Sequence, residues 1–164
     1  MNTTKRMKLR FEPITRENWE EALKLQVHSH QEKYVPSVAV SLAAAYVKPW
    51  DEALDPFLIY VSEVLVGFFY ISYTPNSVDN YWIGGLFIDQ AHQRNGYGSG
   101  ALLQILTILP ELHPNCEVVH LTVEPENQVA QKLYKSLGFQ DTGKMNKYGE
   151  IVYIIPVKKM DSAE

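Results

Sequence analysis

The residues best suited to chemistry stand in a glycine-rich turn, QRNGYGSG at positions 93–100. Glycines alternate at 96, 98 and 100, with Gln93, Arg94 and Asn95 just ahead of them. A strand-like apolar run leads into the turn and a helix-like run leads out of it. Backbone freedom and hydrogen-bond donors are thus concentrated where a strand passes into a helix, which is where phosphate-binding loops occur.

Two common phosphate-binding patterns fit this turn poorly. A P-loop needs a lysine directly after its last glycine, and no lysine follows these glycines. Gly96, Gly98 and Ala101 do match the loose dinucleotide pattern G-x-G-x-x-[GA]. That fingerprint, however, places its first glycine right after the strand of an opening strand–helix unit, and here three predicted strands and two predicted helices come first. A glycine-rich helix start with only a packing role is a further alternative.

The segment 93–98 also matches the [QR]-x-x-G-x-[GA] signature of the GNAT acetyltransferases, and the chain resembles that family. The resemblance implies acetyl-CoA as cosubstrate, its pyrophosphate held by backbone N–H groups at the start of a helix. Because glycine has no Cβ, the pyrophosphate can approach the chain closely. The family often has Gly in place of Arg94 and a basic residue in place of Asn95, which changes only local detail. The cofactor-binding residues implied in this turn are Gln93, Arg94, Asn95, Gly96, Tyr97, Gly98 and Ser99.

A second strand–helix unit, LTVEPENQVAQKLYKSLGF at 121–139, resembles the family's second cofactor segment. Asn127 and Tyr134 are seven residues apart, so they lie within about 20° on one helix face. The resemblance implies that Asn127 bonds the pantetheine arm of coenzyme A and that Ala130, between them, leaves room for it. It implies that Tyr134 is the catalytic general acid that protonates the leaving thiolate. We expect the core-packing face of this helix to be Val129, Leu133 and Leu137.

Two adjacent glycines, Gly84 and Gly85, interrupt the strand-like run YWIGGLFID at 81–89. Such a pair indicates a bulge or the close approach of another backbone. Family members carry a bulge here, which separates this strand from the one after residues 113–116 and admits the pantetheine. The resemblance implies that an amide near the bulge polarises the acetyl carbonyl. It also implies that the pantetheine pairs with the strand backbone at Leu86, Phe87 and Ile88.

The acceptor and the base are less well defined. A neutral amine is expected to attack the acetyl thioester directly, so a base or a water relay must take its proton. Many family members keep a Glu or Asp in the bulged strand, where this chain has Gly84 and Gly85. Elsewhere, the candidate bases are Glu32, Asp51, His120 and Glu124.

The segments at 25–46 and 56–69 resemble the bacterial spermine/spermidine (diamine) acetyltransferase branch of the family. This implies a small-molecule amine acceptor, above all a polyamine, bound by Glu32 and Tyr34, with the Glu32 carboxylate holding an ammonium group. Another small amine, such as an amino acid or an antibiotic, stays an alternative, as does a non-catalytic acyl-CoA-binding sensor. Because dimers are common in similar proteins, a homodimer is a further expectation.

Composition limits the class of protein and its partners. The chain has 164 residues, of which 46% are apolar and 21% charged, so we expect one domain (1–164, core about 8–157). The net charge of −4 argues against nucleic acid as a partner. No apolar run approaches the roughly 18 residues of a membrane span, and the N-terminus lacks the apolar part of a secretory signal. A single cysteine, Cys116, excludes a cysteine metal cluster and fits a reducing compartment, so we expect a cytoplasmic protein without metal.

The hydrophobic pattern predicts the element order βααβββαβαββ. The first helix is expected to carry an apolar stripe of Trp19, Leu23 and Val27. Together with the family resemblance, this order predicts an α/β GNAT fold. That fold is a mixed seven-stranded sheet with a splayed central strand pair and helices on both faces.

Overall fold

The computed structural model describes residues 8–157, and within this range seven strands form one mixed sheet with four α-helices. The strands are β1 (Leu9–Pro13), β2 (Ala53–Val61), β3 (Val64–Tyr73), β4 (Tyr81–Ile88), β5 (Val118–Val123), β6 (Gln140–Met145) and β7 (Ile151–Pro156). The helices are α1 (Trp19–Ala22), α2 (Val38–Val47), α3 (Tyr97–Leu112) and α4 (Gln128–Ser136), with 3-10 helical turns at Ser29–Tyr34 and Gln90–His92. The predicted element order and the predicted α/β class are confirmed.

The sheet opens between its two central strands. The strand order is β1-β2-β3-β4-β5-β7-β6, and all neighbours are antiparallel except β4 and β5. These two share one matched pair, Trp82 with His120, whose rings stack with centroids 4.5 Å apart. After that pair the strands separate, so the predicted splayed central pair is confirmed.

A bulge in β4 lies at the glycine pair. Tyr70 of β3 stands opposite Gly84, whereas Phe68 stands opposite Phe87. Two steps along β3 therefore face three steps along β4, so β4 carries one extra residue. Gly85 has a φ of 61°, a left-handed conformation that glycine adopts without strain. The bulge bends β4 where it leaves β5, and residues 86–88 follow directly along the opened edge.

Helices pack on both faces of the sheet, as predicted. Neighbouring residues of a strand point to opposite faces. Leu58 of β2 accordingly packs in one buried cluster with Ala22 and Val38, from the α1 and α2 side. Ile59 packs in the other cluster, which contains residues of α3. The sheet thus separates two apolar cores.

The first helix is shorter than predicted, and its expected stripe is wrong. Helix α1 ends at Ala22, which is fully buried, while Trp19 and Leu23 are 44% and 43% exposed. After the helix ends, the backbone at Gln26 bonds instead to residues that follow β4. The Gln26 N–H donates to the Asp89 carboxylate at 2.9 Å, and the Gln90 N–H donates to the Gln26 carbonyl at 2.8 Å.

Candidate active site

Two cavities meet at the point where β4 and β5 separate. The larger cavity has a volume of about 780 Å³ and runs from the start of α3 to α4. The smaller cavity, of about 310 Å³, lies beside the β4 bulge and α2. Both cavities are lined by Tyr34, Val35, Leu86, Thr122 and Tyr134. A ligand in one cavity can therefore touch a ligand in the other at this junction.

The start of α3 forms one end of the larger cavity. Its N-cap, Gly96, has a φ of 77° and no side-chain cap, and the first intrahelical bond is Gly100 N–H to the Gly96 carbonyl at 3.0 Å. The N–H groups of residues 97–99 therefore precede the helical ladder and have no carbonyl within it. A Cβ placed on Gly98 would meet only the Ile88 side chain, at 3.8 Å. This end of the cavity thus offers free donors, a helix dipole and close backbone access, which suit an anion.

The turn before α3 is held by its own side chains. Arg94 lines the cavity and has a φ of 67°, the left-handed conformation that explains why the family often has Gly at this place. The Gln93 amide donates to the Ile88 carbonyl at 3.0 Å and to the Gln31 side chain at 2.9 Å. The Asn95 amide donates back to the His92 carbonyl at 3.0 Å, and Asn95 does not line the cavity. Asn95 therefore shapes the turn, whereas Gln93 also ties it to the 3-10 turn at Ser29–Tyr34.

Helix α4 presents a different face to the larger cavity than the sequence predicted. Asn127 caps the helix through its side-chain oxygen, which accepts from the Ala130 N–H at 3.2 Å, and it lines the cavity. Ala130 packs against the core instead of lining either cavity. Val129 is 83% exposed and lines the larger cavity together with Leu133, so the assignment of these two residues to the core face was wrong. Apolar side chains here face the cavity.

Tyr134 stands at the junction of the two cavities. Its ring is fixed from the core side by Phe139 and Tyr153, with centroids 5.9 and 6.2 Å away. Within the described chain its hydroxyl has no hydrogen-bond partner, and burial raises its pKa to about 12. The phenol thus stays protonated at neutral pH and has a hydrogen available for a ligand.

The smaller cavity has an apolar and aromatic wall with one carboxylate. Its aromatic members are Tyr34, Trp50, Tyr70 and Tyr134, and none of its described lining residues is Lys, Arg or His. The Tyr70 side chain occupies the space that a Glu or Asp at position 84 of β4 would need. Its ring lies across the bulge, and a Cβ on Gly84 would stand 2.3 Å from ring carbons and 2.5 Å from the hydroxyl oxygen.

The structure places several predicted residues away from the cavities. Tyr34 lines both, but Glu32, two residues earlier, is exposed and lines neither. The other candidate bases, Asp51, His120 and Glu124, line neither cavity as well. His120 packs on Trp82 and desolvation lowers its pKa, which favours a neutral imidazole in the sheet.

Sequence reasoning missed four polar residues of the smaller cavity: Ser41, Tyr70, Thr122 and Glu150. Tyr70 could have been found from the antiparallel hairpin, whose register puts it opposite the glycine pair. Ser41 and Glu150 carry no such signal, because α2 and the β6–β7 turn meet at the cavity only through the tertiary fold.

Coenzyme A fits the residues of the larger cavity. The free N–H groups at the start of α3 suit a pyrophosphate, Arg94 adds positive charge, and the separated edge of β4 at 86–88 leaves strand backbone for the pantetheine. Across residues 8–157, no group of three or more His, Cys, Asp and Glu side chains could hold a metal ion. In the same residues no helix is long and apolar enough to cross a membrane.

Comparison with known proteins agrees with this geometry. Residues 16–139 match the model of the acetyltransferase (GNAT) family. The spermine/spermidine N(1)-acetyltransferase of Bacillus subtilis is 29% identical over 157 residues, covering 90% of this chain and 98% of that protein. The spermidine N-acetyltransferase of Vibrio cholerae, crystallised with CoA and spermine, has the same fold at a TM-score of 0.71 and 18% identity, covering 91% of this chain and 95% of that one. An aminoglycoside acetyltransferase in complex with coenzyme A gives a TM-score of 0.70 at 15% identity, over 91% and 95% of the two chains.

The family match covers well over half of the chain, and the cavity ends at the free N–H groups that the family signature predicts. The chain therefore belongs to the acetyltransferase (GNAT) family and is an acetyl-CoA-dependent N-acetyltransferase.

Proposed function

We propose that this enzyme acetylates a primary amine of a small aliphatic polyamine such as spermidine or spermine. The observation that carries the proposal is the smaller cavity, which joins the larger one at Tyr134 and combines aromatic walls with one carboxylate. An alkyl chain with ammonium groups suits such a lining, because aromatic faces attract cations and apolar walls cover methylene groups. An amino acid acceptor carries a carboxylate, for which no described residue of the cavity supplies a positive charge. The names of the curated relative and of the Vibrio structure support the same acceptor class.

The residues have distinct roles in the proposed reaction. The start of α3 and Arg94 hold the pyrophosphate, and Asn127 donates its free amide hydrogens to the pantetheine arm. Acetyl-CoA, when bound, supplies an acetyl thioester that an amine can attack. Tyr34 and the smaller cavity orient the amine nitrogen toward the junction, and water takes the proton that this nitrogen loses. The Tyr134 hydroxyl donates its hydrogen bond to the sulfur on which negative charge develops.

An amine panel tests the proposal. The protein is mixed with acetyl-CoA and spermidine, spermine, 1,4-diaminobutane, an amino acid or an aminoglycoside, and the free thiol is followed over time. We expect the polyamines to give the highest kcat/KM. A higher kcat/KM for the amino acid or the aminoglycoside would show that the acceptor belongs to that class instead of the polyamines. If no amine gives thiol release and acetyl-CoA still binds tightly, the result would favour a non-catalytic sensor.

A further inference from the structure

The carboxylate of the smaller cavity is held in a fixed position. Glu150 is half-buried and directly precedes β7. Its Oε1 accepts from the Asn146 side-chain amide at 2.9 Å, and its backbone N–H donates to the Asn146 side-chain oxygen at 2.9 Å. The Asn146 N–H in turn donates to the Glu150 carbonyl at 2.9 Å. This reciprocal set fixes the β6–β7 turn and the start of the Glu150 side chain together.

The second carboxylate oxygen of Glu150 has spare capacity for a ligand. Oε2 accepts only one long bond within the described structure, from the Thr122 hydroxyl at 3.4 Å. A carboxylate oxygen can accept two hydrogen bonds, and an ammonium group supplies three donors. The hydroxyl of Ser41, in the same cavity, has no partner among the described residues, and this residue is 1% exposed. The cavity thus holds one acceptor that the fold uses only partly and one that the described residues leave unused.

Glu150 and Tyr134 belong to different parts of the site. Tyr134 lines both cavities, and the amine that reacts must reach this junction. Glu150 lines only the smaller cavity. Its Oε2 accepts from the hydroxyl of Thr122, which lines both cavities, so the carboxylate lies on the smaller-cavity side of the junction. Because Glu150 does not line the larger cavity, its charge serves the part of an acceptor that stays in the smaller one.

We infer that Glu150 anchors the non-reacting ammonium group of the acceptor and so selects diamines and polyamines over monoamines. This inference rests on the proposed function, because it assigns a residue to the acceptor cavity. Trp50 and Tyr70 flank the ammonium with their rings, and Ser41 accepts a further hydrogen bond. Glu150 is thus a specificity-determining residue, and it does not touch the reacting atoms.

The test compares 1,4-diaminobutane with n-butylamine, which lacks the second ammonium, in wild type and Glu150→Gln. The glutamine keeps the bond from Asn146 and removes the charge. We expect the KM of the diamine to rise roughly 10- to 100-fold, the range for one lost charge pair in a partly buried site. The kcat of the diamine, the KM of n-butylamine and the KM of acetyl-CoA should change less than about threefold, because the reacting end is untouched.

Glu52→Gln is the matched control. The Glu52 carboxylate also accepts from an asparagine amide and a hydroxyl, at 3.0 and 2.6 Å, and its charge also raises the pKa of Tyr70, but it does not line the cavity. We expect no selective loss of the diamine in this variant. An equal loss in both variants would mean that a diffuse negative field attracts the diamine, and it would overturn the anchor. An equal loss of diamine and monoamine in Glu150→Gln would overturn it as well.

Two further measurements keep the inference separate from the proposed function and from misfolding. Glu150→Asp keeps the charge but shortens the side chain, so the preferred diamine should lengthen to 1,5-diaminopentane; an unchanged preference contradicts the anchor. Calorimetry with 1,4-diaminobutane and the CoA-bound protein reads binding without catalysis, and Glu150→Gln should abolish the heat of binding. If wild type acetylates no amine, the proposed function fails. If wild type acetylates diamines and Glu150→Gln behaves identically, only the anchor fails.

Discussion

Replacement of Tyr134 by phenylalanine tests the contribution of the Tyr134 hydroxyl to turnover without changing the packing of its ring. The change removes one oxygen and keeps the ring, which packs on Phe139 and Tyr153. Because the hydroxyl has no hydrogen-bond partner in the described structure and is buried, its loss breaks no bond of the fold. We therefore expect Tyr134→Phe to fold as the wild type does and to bind acetyl-CoA with a KM within about threefold of wild type.

The expected loss of turnover follows from the pKa of the phenol. A value of about 12 compares with about 8.5 for an ordinary thiol, so full proton transfer to the thiolate is uphill by roughly 5 kcal/mol. We therefore expect the hydroxyl to act mainly as a preorganised donor to the developing charge, with its proton transferred late. Removal of such a donor costs about 10²- to 10³-fold in kcat. A general acid with a matched pKa could contribute up to about 10⁴-fold.

The assay follows thiol release with saturating spermidine and acetyl-CoA. Tyr34 is the other phenol that lines both cavities, so Tyr34→Phe is the matched comparison, with an expected loss of kcat below about tenfold. A kcat of Tyr134→Phe close to that of wild type would refute the role of this hydroxyl. A large loss in Tyr34→Phe with none in Tyr134→Phe would transfer the role to Tyr34.

Three other expectations concern the larger cavity and Tyr134. Gly98→Val should leave the free energy of unfolding within about 1 kcal/mol of wild type, since a Cβ there meets only Ile88 at 3.8 Å. The same change should raise the Kd of coenzyme A, measured by calorimetry, at least tenfold. An unchanged Kd would exclude the start of α3 as the pyrophosphate site. Arg94→Gly should raise the free energy of unfolding by about 0.5–1 kcal/mol, because it relieves a left-handed φ. It should also weaken coenzyme A binding, most strongly at low salt. A lower free energy of unfolding would argue against backbone strain at Arg94. The pKa of Tyr134 is raised from about 10 unfolded to about 12 folded, so its contribution to stability is full below pH 10 and is lost as the pH rises through 12. In urea unfolding, wild type should lose up to about 2.7 kcal/mol relative to Tyr134→Phe across that window, and parallel curves would contradict the assigned burial.

Local patterns in the sequence were sufficient to predict the sheet and several residues that line the larger cavity. The glycine turn and the bulge glycines each indicate a backbone requirement, and the spacing from Asn127 to Tyr134 indicates a shared helix face; all three are local features of the sequence. The structure accordingly places the free N–H groups of α3, the β4 bulge and Tyr134 around one cavity.

Face assignments and long-range neighbours could not be predicted in the same way. An apolar side chain such as Val129 has the same periodicity whether it packs on a core or lines a ligand cavity, so the α4 pattern was assigned to the wrong face. Glu150 joins the smaller cavity because β7 pairs with β5, a contact between distant parts of the chain. Glu32, chosen for its charge and its place in the loop, is exposed and lines neither cavity.

The ring of Tyr70 lying across Gly84 also limits the order in which this site can change during evolution. A carboxylate side chain at position 84 would begin within 2.5 Å of the tyrosine hydroxyl, so its introduction alone creates a clash. The Tyr70 ring must move or be replaced by a smaller side chain before a strand carboxylate can be accommodated. The aromatic wall of the smaller cavity and a carboxylate at position 84 thus compete for the same space, so a change in one requires a change in the other.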